Sequence, residues 1–323
     1  MAKKVLVTGG AGFIGSNLCE KLLELPEVDL VRVMDNFATG SKQNIDEFLS
    51  KRKFVFIESD IRDFDECKRA CSGMDVILHQ AALGSVPRSV SNPIVSNQFN
   101  IDGTLNIFFA AKESGVKKLA FASSSSTYGD NKDSPKKEDN TGQPLSPYAV
   151  TKKVGELYAK VFADLYDFHY MGFRYFNVFG PRQSAKGAYA AVIPIFFRKM
   201  MNGISPIING SGEQSRDFTF VQNVVDANLG TIFNNNPESW NNIYNIACGH
   251  KTSLKELYHC IADLTGFTGA PVFGPDRQGD IRDSLADISK ATQCLGYNPK
   301  FNIEQGLQKT HHWYKDNPAY LEE

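Results

Sequence analysis

The chain has 323 residues, a length for one large domain or two modest ones, and its 42% hydrophobic content is enough to bury a core. With 22% charged residues and a net charge of −1, it is neither a polyanion-coating protein nor a disordered chain. No apolar run approaches the roughly 18 residues of a membrane span, and the opening MAKKVLVTGG lacks the apolar stretch of about 7–15 residues that a secretion signal needs. A cytoplasmic protein with no membrane or nucleic-acid partner is therefore expected. The six cysteines are irregularly spaced. Cys67 and Cys71 lie one helical turn apart with no second pair at zinc spacing, so free thiols and no metal are expected. His311-His312 reads as part of a solvated helix.

In the first half, short apolar runs at 5–7, 30–34, 54–57, 76–78, 119–121 and 170–173 alternate with helical patterns at 13–25, 65–71, 95–112 and 148–165. Continuous apolar strands separated by helices imply a parallel sheet covered on both faces. The fold class is α/β, a doubly wound parallel sheet. After Gly180-Pro181 the rhythm changes, and Gly, Pro and Asn become frequent, as at Asn209-Gly210-Ser211-Gly212 and Gly274-Pro275-Asp276. This reads as a smaller, mixed α/β, substrate-binding domain that is not contiguous. The expected division is a dinucleotide-binding domain over 1–180, joined by about 216–248, and a second domain over 181–323. The stretch 218–233 reads as a strand followed by a helix that returns to the sheet.

The first strand, Val5-Leu6-Val7-Thr8, leads into Gly9-Gly10-Ala11-Gly12-Phe13-Ile14-Gly15 and then a helix. Glycines let the backbone turn tightly against a pyrophosphate, and the helix N-terminus offers free N–H groups and a positive dipole end. Asp35 ends the second strand about 20 residues beyond Gly15, where its carboxylate can accept the ribose hydroxyls and repel a 2′-phosphate, so NAD is favoured over NADP. Asp60-Ile61 follows the third strand, where an adenine edge is read, and Ala81-Ala82 follows the fourth, where small residues let the cofactor pass. Either pair is equally consistent with an ordinary loop.

In Ser146-Pro147-Tyr148-Ala149-Val150-Thr151-Lys152 the serine suits a helix cap and the proline the first helical position, which sets Tyr148 and Lys152 on one face. A tyrosine ordinarily titrates near about 10, so acting as a base at neutral pH costs about 4 kcal/mol. An ammonium about 4 Å away supplies on the order of 4 kcal/mol at an effective dielectric of about 20. The pairing therefore predicts a lowered Tyr148. The run Ser123-Ser124-Ser125-Ser126-Thr127-Tyr128-Gly129 follows the fifth strand, where such sheets carry their ligand crevice, and offers a hydroxyl to the same substrate oxygen.

These motifs, with His79-Gln80-Ala81-Ala82, Asn100 and the stretch from Arg174 to Gln183, resemble the extended short-chain dehydrogenase/reductase family across essentially the whole chain. Within it the chain is similar to the nucleotide-sugar 4-epimerases, and most to the bacterial branch acting on UDP-N-acetylglucosamine. That likeness is carried by the stretches 82–89, 187–194 and 215–218.

The resemblance implies a Rossmann sheet and NAD held by Gly9, Gly12, Phe13, Ile14, Gly15, Asp35, Asn36, Gly40, Asp60, Ile61, Gln80, Ala81, Ala82, Asn100 and Tyr175, together with Tyr148 and Lys152. It implies Tyr148 as base toward the sugar O4, Lys152 on the nicotinamide ribose and Ser124 on O4, with Ser125 and Ser126 left open for that contact or for the sugar. Asn177 would bind substrate and Arg216 and Arg277 the UDP diphosphate; Arg282 is left open. Asn209, Ala191 and Val192 would lie around the uridine, and Ser85 and Gln183 near an N-acetyl group. Ser284 matches a gate whose small size admits a 2-acetamido substituent.

The implied activity is C4 epimerisation of UDP-N-acetylhexosamines, and also of UDP-glucose and UDP-galactose, through a 4-keto sugar. Sugar dehydratases and decarboxylases on the same scaffold carry an acid just after the hydroxyl, where Ser125 and Ser126 stand here. A reductase consuming NADH and a catalytically silent NAD-binding protein are the remaining alternatives. A homodimer through the helices around 95–112 and 148–165, with apolar stripes including Phe99, Phe108 and Phe109, is also implied.

Overall fold

The computed structural model describes residues 2–186, 190–275 and 283–322. Six strands arrive in the expected places: β1 (Lys3–Thr8), β2 (Val28–Asp35), β3 (Phe54–Glu58), β4 (Val76–His79), β5 (Lys118–Ser124) and β6 (His169–Tyr175). With the strand Asn242–Ile246 they form one seven-stranded sheet, ordered Asn242–Ile246, β6, β5, β4, β1, β2, β3. Every pairing in it is parallel. The order reverses between β1 and β4, so a crevice opens at their C-terminal ends.

Successive side chains of a strand point to opposite faces, and β1 divides the core accordingly. Val5 and Val7 join the larger apolar cluster, and Leu6 joins the second. Helix α1 (Phe13–Glu24) follows β1, and α2 (Phe64–Cys71) starts on Asp63, whose carboxylate accepts Glu66 N–H. Helix α6 (Pro147–Leu165) starts on Ser146, which accepts Ala149 N–H.

The single helix expected over 95–112 comes apart. Asn92 caps a short helix α4 (Pro93–Asn97), just after α3 (Val86–Ser91). One wide π turn, Gln98–Asp102, then leads into α5 (Gly103–Glu113). Such turns are usually local adjustments at functional sites, and this one contains the buried Asn100. The stretch 218–233 also differs in detail. Thr219–Phe220 pairs with Val178–Phe179 outside the large sheet, and the helix Val221–Phe233 follows. The chain rejoins the sheet only at Asn242–Ile246, beside β6.

The remaining strands are short. Thr252–Ser253, Ser215–Arg216 and Asp283–Ser284 form one small sheet, and Ile207–Asn209 pairs with Val272–Gly274. Helices Val192–Met201, Leu254–Thr265 and Ile303–Asp316 pack around them.

Ordinary core packing, which also explains an apolar stripe, accounts for part of the one around 95–112, and one histidine expected in solvent is buried. Phe108 is fully buried, edge-on to Phe121 and Phe162, because the sheet side of α5 faces the second core cluster. Phe109 stacks on Phe64, and Phe99 lies under the Arg62 guanidinium at 4.0 Å. Phe109 stays partly exposed, and Val150, Leu157, Val161 and Leu165 of α6 are exposed with Val86, Val90 and Ile94. His311 is buried and stacked on Phe197; only His312 is solvated, 3.6 Å from Asp316. Among the described residues no helix is long and apolar enough to cross a membrane.

Candidate active site

The loop between β1 and α1 has no room for side chains at its turning points. A Cβ on Gly15 would meet Gly9 O at 2.1 Å, and one on Gly9, itself at a positive φ of 71°, would meet Ala81 N at 2.7 Å. Gly12 occupies the N-cap of α1 without a side-chain cap, so the first-turn N–H groups point into the crevice. Asp35, at the end of β2, accepts Ala11 N–H at 2.9 Å and Phe37 N–H at 2.8 Å. Burial pushes its carboxyl up against the pull of these donors.

A cavity of about 350 Å³ runs from this loop to the end of β5. Its wall includes the expected Gly9, Gly12, Phe13, Ile14, Gly15, Asp35, Asn36, Ile61, Gln80, Ala81, Ala82, Tyr175, Ser124, Tyr148 and Lys152. Gln80 and Tyr175 are bonded to each other at 3.0 Å and both reach Asn228.

Three expected cofactor residues are not in that wall. Gly40 packs where a Cβ would meet Ala11 at 2.8 Å. Asp60 sits behind Asn36, accepting its amide at 2.7 Å and pairing with Arg62. Asn100 is buried; it accepts Leu83 N–H at 2.7 Å and donates to Leu83 O and to Thr151 Oγ1. It therefore holds the loop after β4 against α6.

At the far end, Lys152 Nζ donates to Ala122 O at 2.8 Å and lies 5.8 Å from the Tyr148 ring centre. The lowered Tyr148 expected from this pairing is not found. Burial pushes the phenol up, although its hydrogen bond with Ser124 pulls it down. Burial also lowers Lys152 to about 8. Desolvation thus favours the uncharged form of each group.

Sequence reasoning missed two neighbours. Glu156 continues the Tyr148–Lys152 spacing by one more turn, and its Oε1 accepts the Ser123 hydroxyl at 2.6 Å. A second buried feature underlies the cofactor end. His79 sits between Thr8 Oγ1 at 2.6 Å and Thr104 Oγ1 at 3.0 Å, and burial holds it down to about 3.

A second cavity, about 490 Å³, adjoins the first and shares Asn177 and Val178 with it. Its wall includes Ser85, Gln183, Ala191, Val192, Asn209, Arg216 and Phe218, with Gln214 and Leu254, which no motif had marked. Gln183 Nε2 donates to Val178 O, while its Oε1 is buried without a partner. Ser125 and Ser126 line neither cavity, and Ser126 Oγ is also buried without a partner. Ser284 faces Arg216 across a parallel strand pair. Arg277, Arg282 and residues 187–189 lie outside the described residues.

The model of the NAD dependent epimerase/dehydratase family matches residues 5–247. The chain belongs to this family. A putative UDP-glucose 4-epimerase of Methanocaldococcus jannaschii is 40% identical over 97% of this chain and 99% of its own length. Among solved structures, UDP-N-acetylglucosamine 4-epimerase from Methanobrevibacter ruminantium, in complex with UDP-N-acetylmuramic acid, is similar at 38% identity. Its TM-score is 0.92, with 98% of this chain and 99% of that one covered. UDP-glucose 4-epimerase from Thermotoga maritima, with UDP-glucose, gives a TM-score of 0.90 at 36% identity, covering 98% and 99%.

As a member of the epimerase/dehydratase family the protein uses NAD. The uncapped α1 N-terminus, the glycine cradle and the acid at the end of β2 fit a dinucleotide without further donors.

The wall of the second cavity depends on one buried carboxylate. Asp217 accepts Cys248 N–H at 2.9 Å, Gly249 N–H at 3.0 Å and Ala286 N–H at 3.3 Å, joining three separate segments. Burial outweighs these donors and the nearby His250, and lifts the carboxyl to about 6. An unfolded aspartate titrates near about 3.9, so between about 4 and 6 the folded state holds the extra proton. The stability this gives is full below that window and is lost as pH rises through about 6. The unfolding free energy of the native chain minus that of Asp217→Asn should therefore fall between pH 4 and 6 in denaturant titrations. A flat or rising difference would contradict the assignment.

Proposed function

We propose that the protein is a UDP-sugar 4-epimerase that interconverts UDP-N-acetylglucosamine and UDP-N-acetylgalactosamine, and also UDP-glucose and UDP-galactose. The observation that carries this reading is the meeting of the two cavities at Asn177 and Val178, with Tyr148, Lys152 and Ser124 in the wall of the first. A ligand whose nucleotide half fills the second cavity would bring its sugar to the tyrosine.

Bound NAD would supply a reversible acceptor for the C4 hydride. The chain's own residues handle the proton and the grip. Tyr148 Oη removes the proton from O4 and later restores it, and Ser124 hydrogen-bonds the same oxygen. Because burial opposes the phenolate, the positive charge of Lys152 and of the oxidised ring must offset that cost in the working complex. Arg216 and Asn209 would hold the diphosphate and uridine, an arginine fork giving a firm handle. The sugar is then free to turn and present its other face. Arg277 is a further candidate for the same handle.

No carboxylate lies in the run from Ser123 to Thr127, which weighs against dehydration or decarboxylation. The buried Tyr148–Lys152 pair weighs against a silent NAD-binding protein. We assign residues 1–180, with about 216–248, to the NAD-binding domain because the latter stretch carries the seventh strand. The substrate domain then takes the rest of 181–323. The exposed apolar face of α3, α4 and α6 supports a homodimer.

Four outcomes test these statements. Proton NMR of UDP-N-acetylglucosamine and UDP-glucose, incubated separately without added NAD, should reveal the galacto epimer of each. Tyr148→Phe should lose about 100-fold or more in turnover while retaining its nucleotide; a dehydrated sugar, or turnover only with added NADH, would overturn the reading. Ser284→Tyr should cut turnover of the acetamido sugars about tenfold or more and spare UDP-glucose; equal loss on both would reject the gate. Sedimentation at micromolar concentration should give twice the 35.8 kDa chain mass, and the single-chain species alone would reject the dimer.

A further inference from the structure

Tyr148, Lys152 and Glu156 form one stripe along α6, and each of the last two grips the end of β5. Lys152 Nζ holds Ala122 O at 2.8 Å, and Glu156 Oε1 accepts the Ser123 hydroxyl at 2.6 Å. The next residue is Ser124, which lines the first cavity together with Tyr148 and whose Oγ accepts Ser126 N–H at 3.1 Å. Glu156 is itself immobilised. Arg174 of β6 donates to both of its oxygens through Nε and Nη2, each at 2.8 Å, and both side chains are almost fully buried. The fork is backed by the Tyr128 ring at 4.8 Å and by Glu138 O, which accepts Arg174 Nη1 at 2.9 Å.

A buried ion pair is weak evidence for stability, since apolar residues of equal volume are often as good. A shared, doubly anchored carboxylate that also takes a hydroxyl beside the reactive serine has a geometric use instead. We propose that Glu156, fixed by Arg174, is a positioning residue that sets the Ser124 hydroxyl against Tyr148 through its bond to Ser123. The inference rests on the epimerase reading above. Glu156 also lies 3.7 Å from Lys153 Nζ, but it lines neither cavity, and of its partners Ser123 is the one in the wall of the first. Misplacing the serine takes away the nearby hydroxyl that favours the Tyr148 phenolate, and the acid limb of turnover then moves to higher pH.

Removing Glu156 outright would strand a buried guanidinium, so the test uses milder changes. Ser123→Ala deletes the one bond and keeps the ion pair. Glu156→Asp keeps the charge and shortens its reach. Each variant should lower kcat by about 10- to 100-fold, the scale of a displacement of about 1 Å. KM and bound NAD should be unchanged, and the acid limb of kcat should shift upward. Ser123→Thr, which restores the hydroxyl, should recover the limb. The double variant Ser123→Ala with Glu156→Asp should be no worse than the poorer single one, because both act through the same bond. An unmoved acid limb, or losses that multiply in the double variant, would overturn the inference while wild-type epimerisation stands. Absence of epimerisation in the wild type would overturn the underlying reading.

Discussion

The site depends on how helix α6 is seated on the C-terminal end of β5. Two side chains make that joint: a lysine that reaches a strand carbonyl, and a glutamate, pinned from the neighbouring strand, that takes a serine hydroxyl. Both are buried, and both lie one turn apart on the face that also carries Tyr148. The tyrosine's place beside the cofactor cavity follows from the joint, since the helix can slide or roll only by breaking charge-assisted bonds in a medium of low dielectric.

The same economy governs the other wall of the site. The large sheet supplies the floor, and the α1 loop gives its open N–H groups. The second cavity has no comparable sheet behind it. Its wall combines the helix Val192–Met201 and loop residues with the short strands Ile207–Asn209 and Ser215–Arg216, and Asp217, next to the lining Arg216 and Phe218, bonds the amides of 248–249 and 286. A short strand contributes few ladder bonds, so one carboxylate with three N–H donors does work that a longer sheet would spread over many residues.

Much of this was legible in the sequence where the signal is local. The strand and helix rhythm of the first half, the glycine loop and the acid ending β2 depend on spacing along the chain, and they assemble as one cavity. What was not legible depends on what lies across space. The wide turn around Asn100 and its grip on Leu83 follow from a loop 17 residues away in sequence. Phe108 and Phe109 are adjacent and equally apolar, yet only the sheet decides which one is buried. Spacing put a lysine beside Tyr148, but the direction of the phenol's shift is set by the loss of water around both groups, which spacing does not report. Glu156 was in plain view as a third member of the stripe, and its meaning came only from the arginine two strands' width of sequence away.

His79 gives the two halves of the site different chemical temperaments. Its imidazole, wedged between two threonine hydroxyls under the dinucleotide loop, stays uncharged at every pH in which the fold would ordinarily exist. This imidazole is thus no sensor of mild acid, while the carboxylate behind the second chamber titrates near about 6. Mild acid therefore reaches the joint between Asp217 and the Cys248, Gly249 and Ala286 amides before it reaches His79.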